Sequence, residues 1–596
     1  MDNLWNDIVY TDVMQSDGYV VDYSVLTTYS LDMPSLLSVP FMLGTMSDLT
    51  EASLRSPHLV LEAVNKSAGK FSVFCNAGCI AVPQANSKLY PLLERSVVQI
   101  ALPARGAGFV NFHPKVWVIK ESNPDTEESQ IKVVVLSRNL TCSNDLDVVC
   151  ELVGSIGPKQ ATRKSRIRHK PLADFLDWLA ERSTNKIRKQ IRSIINDLDY
   201  VELFELKNSP FDDYDFLPMG IDGYDGMEQC LETVMLDHAT EMVVISPFID
   251  QKTLSEMAAC SPKARKTLIT RHASVKNETL SLFNDGVYAP KEVLTDKVEK
   301  DIVVDLHEKV YFIRSYEGNL TYNHLYLGST NATRNGFDRN VEFLLHLRFA
   351  SYKTSYDKFR GELIHEGKDC MFEQVTDVPT DIKDQENTPD ELQLRLAIAS
   401  IQKAEIKQHG ECYTITLFCK KTRLPKEDVI IYPLGCQAME KTLTEGTTFE
   451  KMELAMLTEF YVLVVGDIRR VIKIDTTGMP FEERDRAIFR SIINTKGKFI
   501  SYLAFMLTDD AERYVVESQQ MEKELADMTA SVKEQEISVS LYEDMVRMAY
   551  TDPDRIAAMR SVIERADASV IPDHFAEIYA SFENAIKQIR RLGVVQ

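Results

Sequence analysis

Short apolar runs broken by polar turns recur through the first 376 residues. "KFSVFCNAGCIAV" and "KVVVLS" have the length and β-branched content of buried strands. "EMVVISPFI", "RKTLITR", "KVYFI" and "LYLGS" repeat that style in the second half of the stretch. Helical patterns alternate with these runs, which predicts an α/β layered sheet in two units, 1–205 and 206–376. The segment 373–393, rich in Asp, Thr and Pro, predicts a linker that few contacts cross. Beyond it, "ECYTITLFCKK", "EDVIIYPLG", "EFYVLVVGD" and "RRVIKID" predict a small β-rich domain over 394–476. From Pro480 the period becomes helical. Thr551 or Asp552 suits a helix cap, and Pro553 suits a first helical position. Leu541, Met545, Met548, Ile556, Met559 and Ile563 recur at helical spacing, so 480–596 is expected to be a helical domain.

Composition adds two points. The 596 residues are 44% hydrophobic and 26% charged, as in globular proteins of several domains. The longest apolar runs, such as "FYVLVV", are strand-length. The opening "MDNLWNDIVYTDVMQS" lacks a basic region and an apolar core, so no secretory signal is expected. The ten cysteines are scattered and give no zinc spacing, which fits reduced thiols in the cytoplasm. Net charge is −21, yet Lys159 to Arg192 holds eleven Lys or Arg against three acids. Arg163, Lys164, Arg166 and Arg168 cluster there, and Lys186, Arg188, Lys189 and Arg192 are spaced for one helical face. That segment is a candidate nucleic-acid backbone contact; the alternative is a solvated helical face.

The chemistry lies in a repeated constellation. "HPKVWVI" contains His113 and Lys115, and "LHEKVYFI" contains His307 and Lys309. Residues two apart on a strand face one way, so each pair offers an imidazole beside an ammonium. Ser137 and Asn139 of "SRNLT" follow the first pair after 24 residues, and Ser329 and Asn331 of "STNAT" follow the second after 22. A downstream acid completes each copy: Glu342 in the second and, with one inserted residue, Glu151 in the first.

These residue types suit phosphodiester cleavage without a metal. One imidazole can attack phosphorus, and a second can protonate the leaving oxygen and then activate water. Two lysines stabilise the phosphoryl oxygens, Ser and Asn donate hydrogen bonds, and a carboxylate behind each histidine fixes its tautomer. The other nine histidines form no ligand spacing, so neither metal nor cofactor is expected.

The H-x-K and (G)S-x-N motifs, with Gly328 ahead of Ser329, resemble those of the phospholipase D superfamily. The resemblance implies two α/β sandwich halves about a pseudo-twofold axis with one composite site at the seam. It departs at Lys120 and Arg314, where the family often has Asp, and at Leu136, where Gly is common. The β-rich then helical C-terminal part is similar in arrangement to bacterial phospholipase D-like nucleases found beside helicases in anti-phage defence loci.

The leading expectation is a nuclease acting on DNA rather than RNA through a phosphohistidine. The alternatives are a phospholipase or phosphatidyltransferase, and a non-catalytic binding subunit of a larger complex. Residues 377–596 carry no catalytic motif and are expected to dock a partner, a helicase or a second copy; no membrane association is expected.

Overall fold

In the computed structural model the described residues are 13–45, 57–103, 109–142, 145–206, 209–224, 238–291, 306–378 (without 366, 368 and 369), 388–507 (without 426 and 427) and 530–591 (without 574). Two mixed sheets dominate. The first holds β1 (Val20–Thr28), β2 (Phe71–Asn76), β3 (Val97–Ile100), β4 (Val116–Ser122), β5 (Ser129–Leu136) and β6 (Val149–Ser155), in the order β3-β2-β1-β4-β5-β6. The second holds β7 (Asp213–Met219), β8 (Ala239–Ile245), β9 (Arg265–Ile269), β10 (Val287–Pro290), β11 (Val310–Glu317), β12 (Leu320–Gly328), β13 (Glu342–Ala350) and β14 (Phe372–Gln374). Its order is β14-β10-β9-β8-β11-β12-β13-β7. Without the two edge strands the orders match strand for strand. In both, the first three strands run parallel and the last three are antiparallel.

Strands buried on both faces explain the near-continuous apolar runs. Val25 of β1 and Val243 of β8 face a shared layer between the sheets, whereas their neighbours Leu26 and Val244 face outward cores. The shared layer is completed by two helices, Arg163–Glu181 (α1) and Asn185–Leu198 (α2), through Phe175, Leu179, Ile187 and Ile191. Thr162 caps α1 by accepting a hydrogen bond from Ser165 N. The basic segment therefore forms an amphipathic helical hairpin over the central core.

The C-terminal third does not stand apart behind a linker. Of the expected linker, Glu373 and Gln374 pair with β10, 379–387 lies outside the described residues, and Thr388 caps the helix Pro389–Ser400 (α3). The strands of the β-rich stretch lie in two sheets, one of which is extended by Ile80–Ala81 and Leu31–Asp32 of the first half, with Val471 opposite Ile80. The outer face of the first sheet is covered by Ile488, Phe489, Phe499, Leu503, Leu541, Met545, Met548, Ile556 and Met559. Their helical spacing thus serves packing on the first half. Val471 to Ile80 register and a common core fix the extension in place.

One buried ion pair pins this junction. Arg484, on the helix Phe481–Ile492, donates from Nη1 to Glu94 Oε2 at 2.6 Å and from Nη2 to Pro91 O at 2.9 Å. Both side chains are fully buried. Glu94 Oε1 also accepts from Glu459 N at 2.7 Å. Removing one partner strands a buried charge, which typically costs about 3–5 kcal/mol. Arg484→Ala and Glu94→Ala should each lower the thermal unfolding temperature markedly, while the paired replacement Glu94→Leu/Arg484→Met should recover most of the loss. A chain cut after residue 378 should aggregate, because it exposes the outer face of the first sheet. Melting curves and gel filtration check both.

Candidate active site

The two motifs meet at the edge where β1 and β8 end and β4 and β11 begin. Two short parallel bridges sew the halves together, Phe112 with Val341 and Leu146 with Leu306. His113 N donates to Val341 O at 2.8 Å, and His307 N donates to Leu146 O at 3.0 Å. The residue after each bridge partner is an acid, so each histidine meets the carboxylate of the opposite half. His113 Nδ1 lies 2.9 Å from Glu342 Oε2, and His307 Nδ1 lies 3.4 Å from Asp147 Oδ1. Each carboxylate is tied in turn to the serine of its own half. Ser329 Oγ donates to Glu342, and Ser137 Oγ donates to Asp147 Oδ1 at 3.0 Å. The serines accept from Phe343 N at 3.0 Å and from Val148 N at 2.9 Å, so the two constellations match bond for bond.

This corrects the acid expected in the first copy. Glu151 sits within β6 opposite Val134, while Asp147, four residues earlier, takes the place equivalent to Glu342. The loop between motif and acid is three residues shorter in the first copy (139 to 147, against 331 to 342), where one insertion had been assumed. The carboxylates also reach across the seam, which the order of residues along the chain does not disclose.

The lysines complete the cluster. Lys115 Nζ lies 3.1 Å from His113 Nε2 and donates to His113 O at 3.1 Å. Lys309 Nζ lies 3.2 Å from His307 Nδ1 and donates to His307 O. His113, Lys115 and Lys309 are buried at the seam and His307 is partly buried beside them. Burial pushes the His113 imidazole down to about 4 against the pull of Glu342, and pushes Lys115 down to about 7. Burial, then the neighbouring Lys309, Lys115 and His113, hold His307 well below its ordinary value. Lys309 is lowered well below its own by burial and then by Lys115. His307 and Lys309 therefore lie within electrostatic reach of the first motif. Burial raises Asp147 to about 6 despite Lys309.

Asn139 and Asn331 flank this centre. Asn139 Oδ1 accepts from Ser30 N at 3.4 Å, whereas Asn331 Oδ1 is buried without a partner among the described residues. Gly328 is required by crowding, because a Cβ there would stand 2.3 Å from Phe343 O. Leu136 fills the equivalent place in the first half, and both residues donate their N–H to the motif lysine's carbonyl.

A second repeat escaped the sequence reading. Thr28 Oγ1 accepts from Leu140 N and Ser246 Oγ from Ala332 N, both at 2.9 Å. Asp32 and Asp250 then cap the following helices and accept from Cys142 N and Arg334 N. The signal was legible as hydroxyl-x-x-aliphatic-Asp, "TYSLD" and "SPFID". Two further neighbours were also missed. The ring of Tyr29 lies 4.9 Å from that of His113, and Arg271 bears electrostatically on His307 and Lys309.

The basic segment is only partly available. Arg168 pairs with Asp213 at 2.7 Å, Arg192 stands 3.5 Å from Asp177, and Arg188 donates to Ala180 O at 3.1 Å. Arg163, Lys164, Lys186 and Lys189 are exposed and Arg166 is half-buried. A methyl on Gly69 would meet Lys186 Nζ at 3.1 Å, just ahead of β2. The far end of β2, Asn76, accepts from Phe112 N beside the site. Six strand residues separate the two places, about 20 Å, so the start of α2 lies at the sheet end opposite the reacting groups.

No protein-family model matches the chain, and no curated protein matches it. Among solved structures it is similar to yeast tyrosyl-DNA phosphodiesterase, with 11% identity and a TM-score of 0.35 over 59% of this chain and 87% of that one. It is similar to phosphatidylserine synthase of Haemophilus influenzae Rd KW20, with 11% identity and a TM-score of 0.32 over 64% and 92%. NucT from Helicobacter pylori covers 23% of this chain with 84% of its own, at 16% identity and a TM-score of 0.18. These are phospholipase D superfamily proteins, the family that the paired motifs resemble. At such scores the likenesses carry no argument about substrate. Among the described residues no helix is long and apolar enough to cross a membrane.

The crosswise pairing generates a direct comparison. Asp147→Asn should lower turnover about 10- to 100-fold, as loss of an orienting carboxylate does, while Glu151→Gln should stay within about twofold of the parent, because the orienting carboxylate is Asp147. Steady-state rates on a small chromogenic phosphodiester measure both, and the reverse ranking would restore Glu151 to the site.

Proposed function

We propose that the chain is a phosphodiesterase that cleaves nucleic acid, DNA foremost, through a phosphohistidine intermediate. The observation that carries this is the pairing of two imidazoles, each oriented by the other half's carboxylate, with two buried lysines between them. His113 Nδ1–H donates to Glu342, so Nε2 carries the lone pair; in the empty site it accepts from Lys115 Nζ, and it becomes the nucleophile when Lys115 turns to the phosphoryl oxygens. Nε2 attacks phosphorus, a P–N bond forms, and the P–O bond to the leaving group breaks. The leaving oxygen takes the proton of His307, held by Asp147. His307 then removes a proton from water, whose oxygen displaces Nε2 from phosphorus. Lys115 and Lys309, with Asn139 and Asn331, stabilise the charge that builds on the phosphoryl oxygens. These groups supply nucleophile, acid and positive charge, so the proposed reaction needs no metal.

A nucleic-acid substrate is supported by the exposed cations of the helical hairpin. Arg163, Lys164, Lys186 and Lys189 are available to a polyanion that extends well beyond the seam.

In the empty site burial disfavours charge. A bound phosphodiester anion restores it, so substrate and protons bind together. His113→Ala and His307→Ala should each lose at least about 10²–10⁴ in rate. The parent should retain its activity in excess chelator and yield an acid-labile phosphoenzyme on rapid quench. Full activity in either variant, or inhibition by chelator alone, contradicts the mechanism.

The pH dependence of kcat/KM follows from the free site. Neutral imidazole is present above about 4, and charged Lys115 is present below about 7. His307 is held well below its ordinary value there, so the proton it gives the leaving oxygen enters with the substrate, and kcat/KM should fall as pH rises from about 4 through about 7. The alkaline limb of kcat should lie higher, because bound phosphate supports the ammonium. An optimum of kcat/KM above pH 8 would contradict this assignment.

A further inference from the structure

The two halves match closely around the reacting groups but differ at the mouth. After β1 the chain reads Thr28-Tyr29-Ser30, and after β8 it reads Ser246-Pro247-Phe248. The equivalence is fixed by hydrogen bonds: Thr28 Oγ1 donates to Ser30 O and Ser246 Oγ donates to Phe248 O, both at 2.7 Å. Phe248 thus stands where the first half has a small serine. It is 42% exposed, although a phenyl ring gains by burial. The loop that carries it is not loose. Ser246 accepts from Ala332 N, Ile249 bridges to Ala332, and Ser274 Oγ donates to Pro247 O at 3.1 Å. Ala332 directly follows Asn331, so the ring is held beside the second S-x-N motif.

The guanidinium of Arg271 lies over the Phe248 ring, 4.4 Å from its centroid. One face of the ring is thereby covered by a cation and the remainder is open. A rigid, half-exposed aromatic ring carrying a cation at the rim of a phosphate site matches two neighbouring parts of a nucleotide chain. Bases stack on aromatic faces with little regard for sequence, and guanidinium groups pair with phosphates.

Resting on the phosphodiesterase reading above, we infer that Phe248 and Arg271 form a nucleotide subsite on the His307 side of the seam. Phe248 stacks the unpaired base next to the scissile phosphate, and Arg271 holds the adjoining phosphate. The substrate class that follows is single-stranded nucleic acid, since a paired and stacked base cannot present its face to the ring.

The test is binding, measured in full-length His113→Ala protein so that cleavage does not interfere. The probes are a fluorescent single-stranded oligothymidylate and a strand of the same length with abasic sites. Phe248→Ala should weaken oligothymidylate by about 5- to 150-fold, the span of one base–aromatic stack. Phe248→Trp should bind as tightly as the parent. The abasic strand should bind more weakly than oligothymidylate to the parent, and Phe248→Ala should not weaken it further. Equal affinity of the parent for both strands, or equal loss on both strands in Phe248→Ala, would overturn the subsite. Those outcomes leave the cleavage mechanism standing, because the small chromogenic phosphodiester tests it separately. A wild-type chain that cleaves neither that compound nor DNA would overturn the mechanism itself.

Discussion

The structure turns on the exchange of carboxylates across the seam. Glu342 belongs to the second half and orients His113; Asp147 belongs to the first and orients His307. The exchange depends on backbone, since Phe112–Val341 and Leu146–Leu306 fix the approach of each histidine to the opposite acid. Neither half therefore contains a complete constellation, and each histidine meets its carboxylate only when the other half is docked. Geometry that rests on main-chain hydrogen bonds tolerates little displacement.

The same seam creates an electrostatic problem. One imidazole and two ammonium groups are buried together with a second, partly buried imidazole, opposed by Glu342 and Asp147. Burial depresses every one of the bases and raises Asp147. An anion placed among these groups would lower the cost of charging the lysines.

The C-terminal third has a structural reason to exist. The C-terminal helices share one core with the outer face of the first sheet and with the first half's own helices Met33–Pro40 and Pro57–Ser67. The extension also reaches the catalytic edge. Arg395 of α3 donates to Asn111 Oδ1 at 3.3 Å and lies over the Phe109 ring at 4.3 Å, two and four residues before His113. Glu94 with Arg484 then anchors the opposite end of the contact.

The sequence by itself determined the strand content, the two copies of the motif and the identity of eight polar groups from His113 to Asn331. These are legible because strand period and motif spacing are local properties. It also determined that basic charge collects at 159–192, though not that Arg168, Arg188 and Arg192 are engaged within the fold. Three things only the tertiary structure decided. Asp147 replaces Glu151 because the acid is selected by a bridge to Leu306, 160 residues away along the chain. The segment 373–393 reads as a boundary by composition, yet residues on either side of it share one core, and composition does not report which faces meet. Phe248 reads as one more apolar residue of a strand end. Its exposure beside Arg271 becomes visible only once the second half has folded, because burial is set by neighbours distant in the chain.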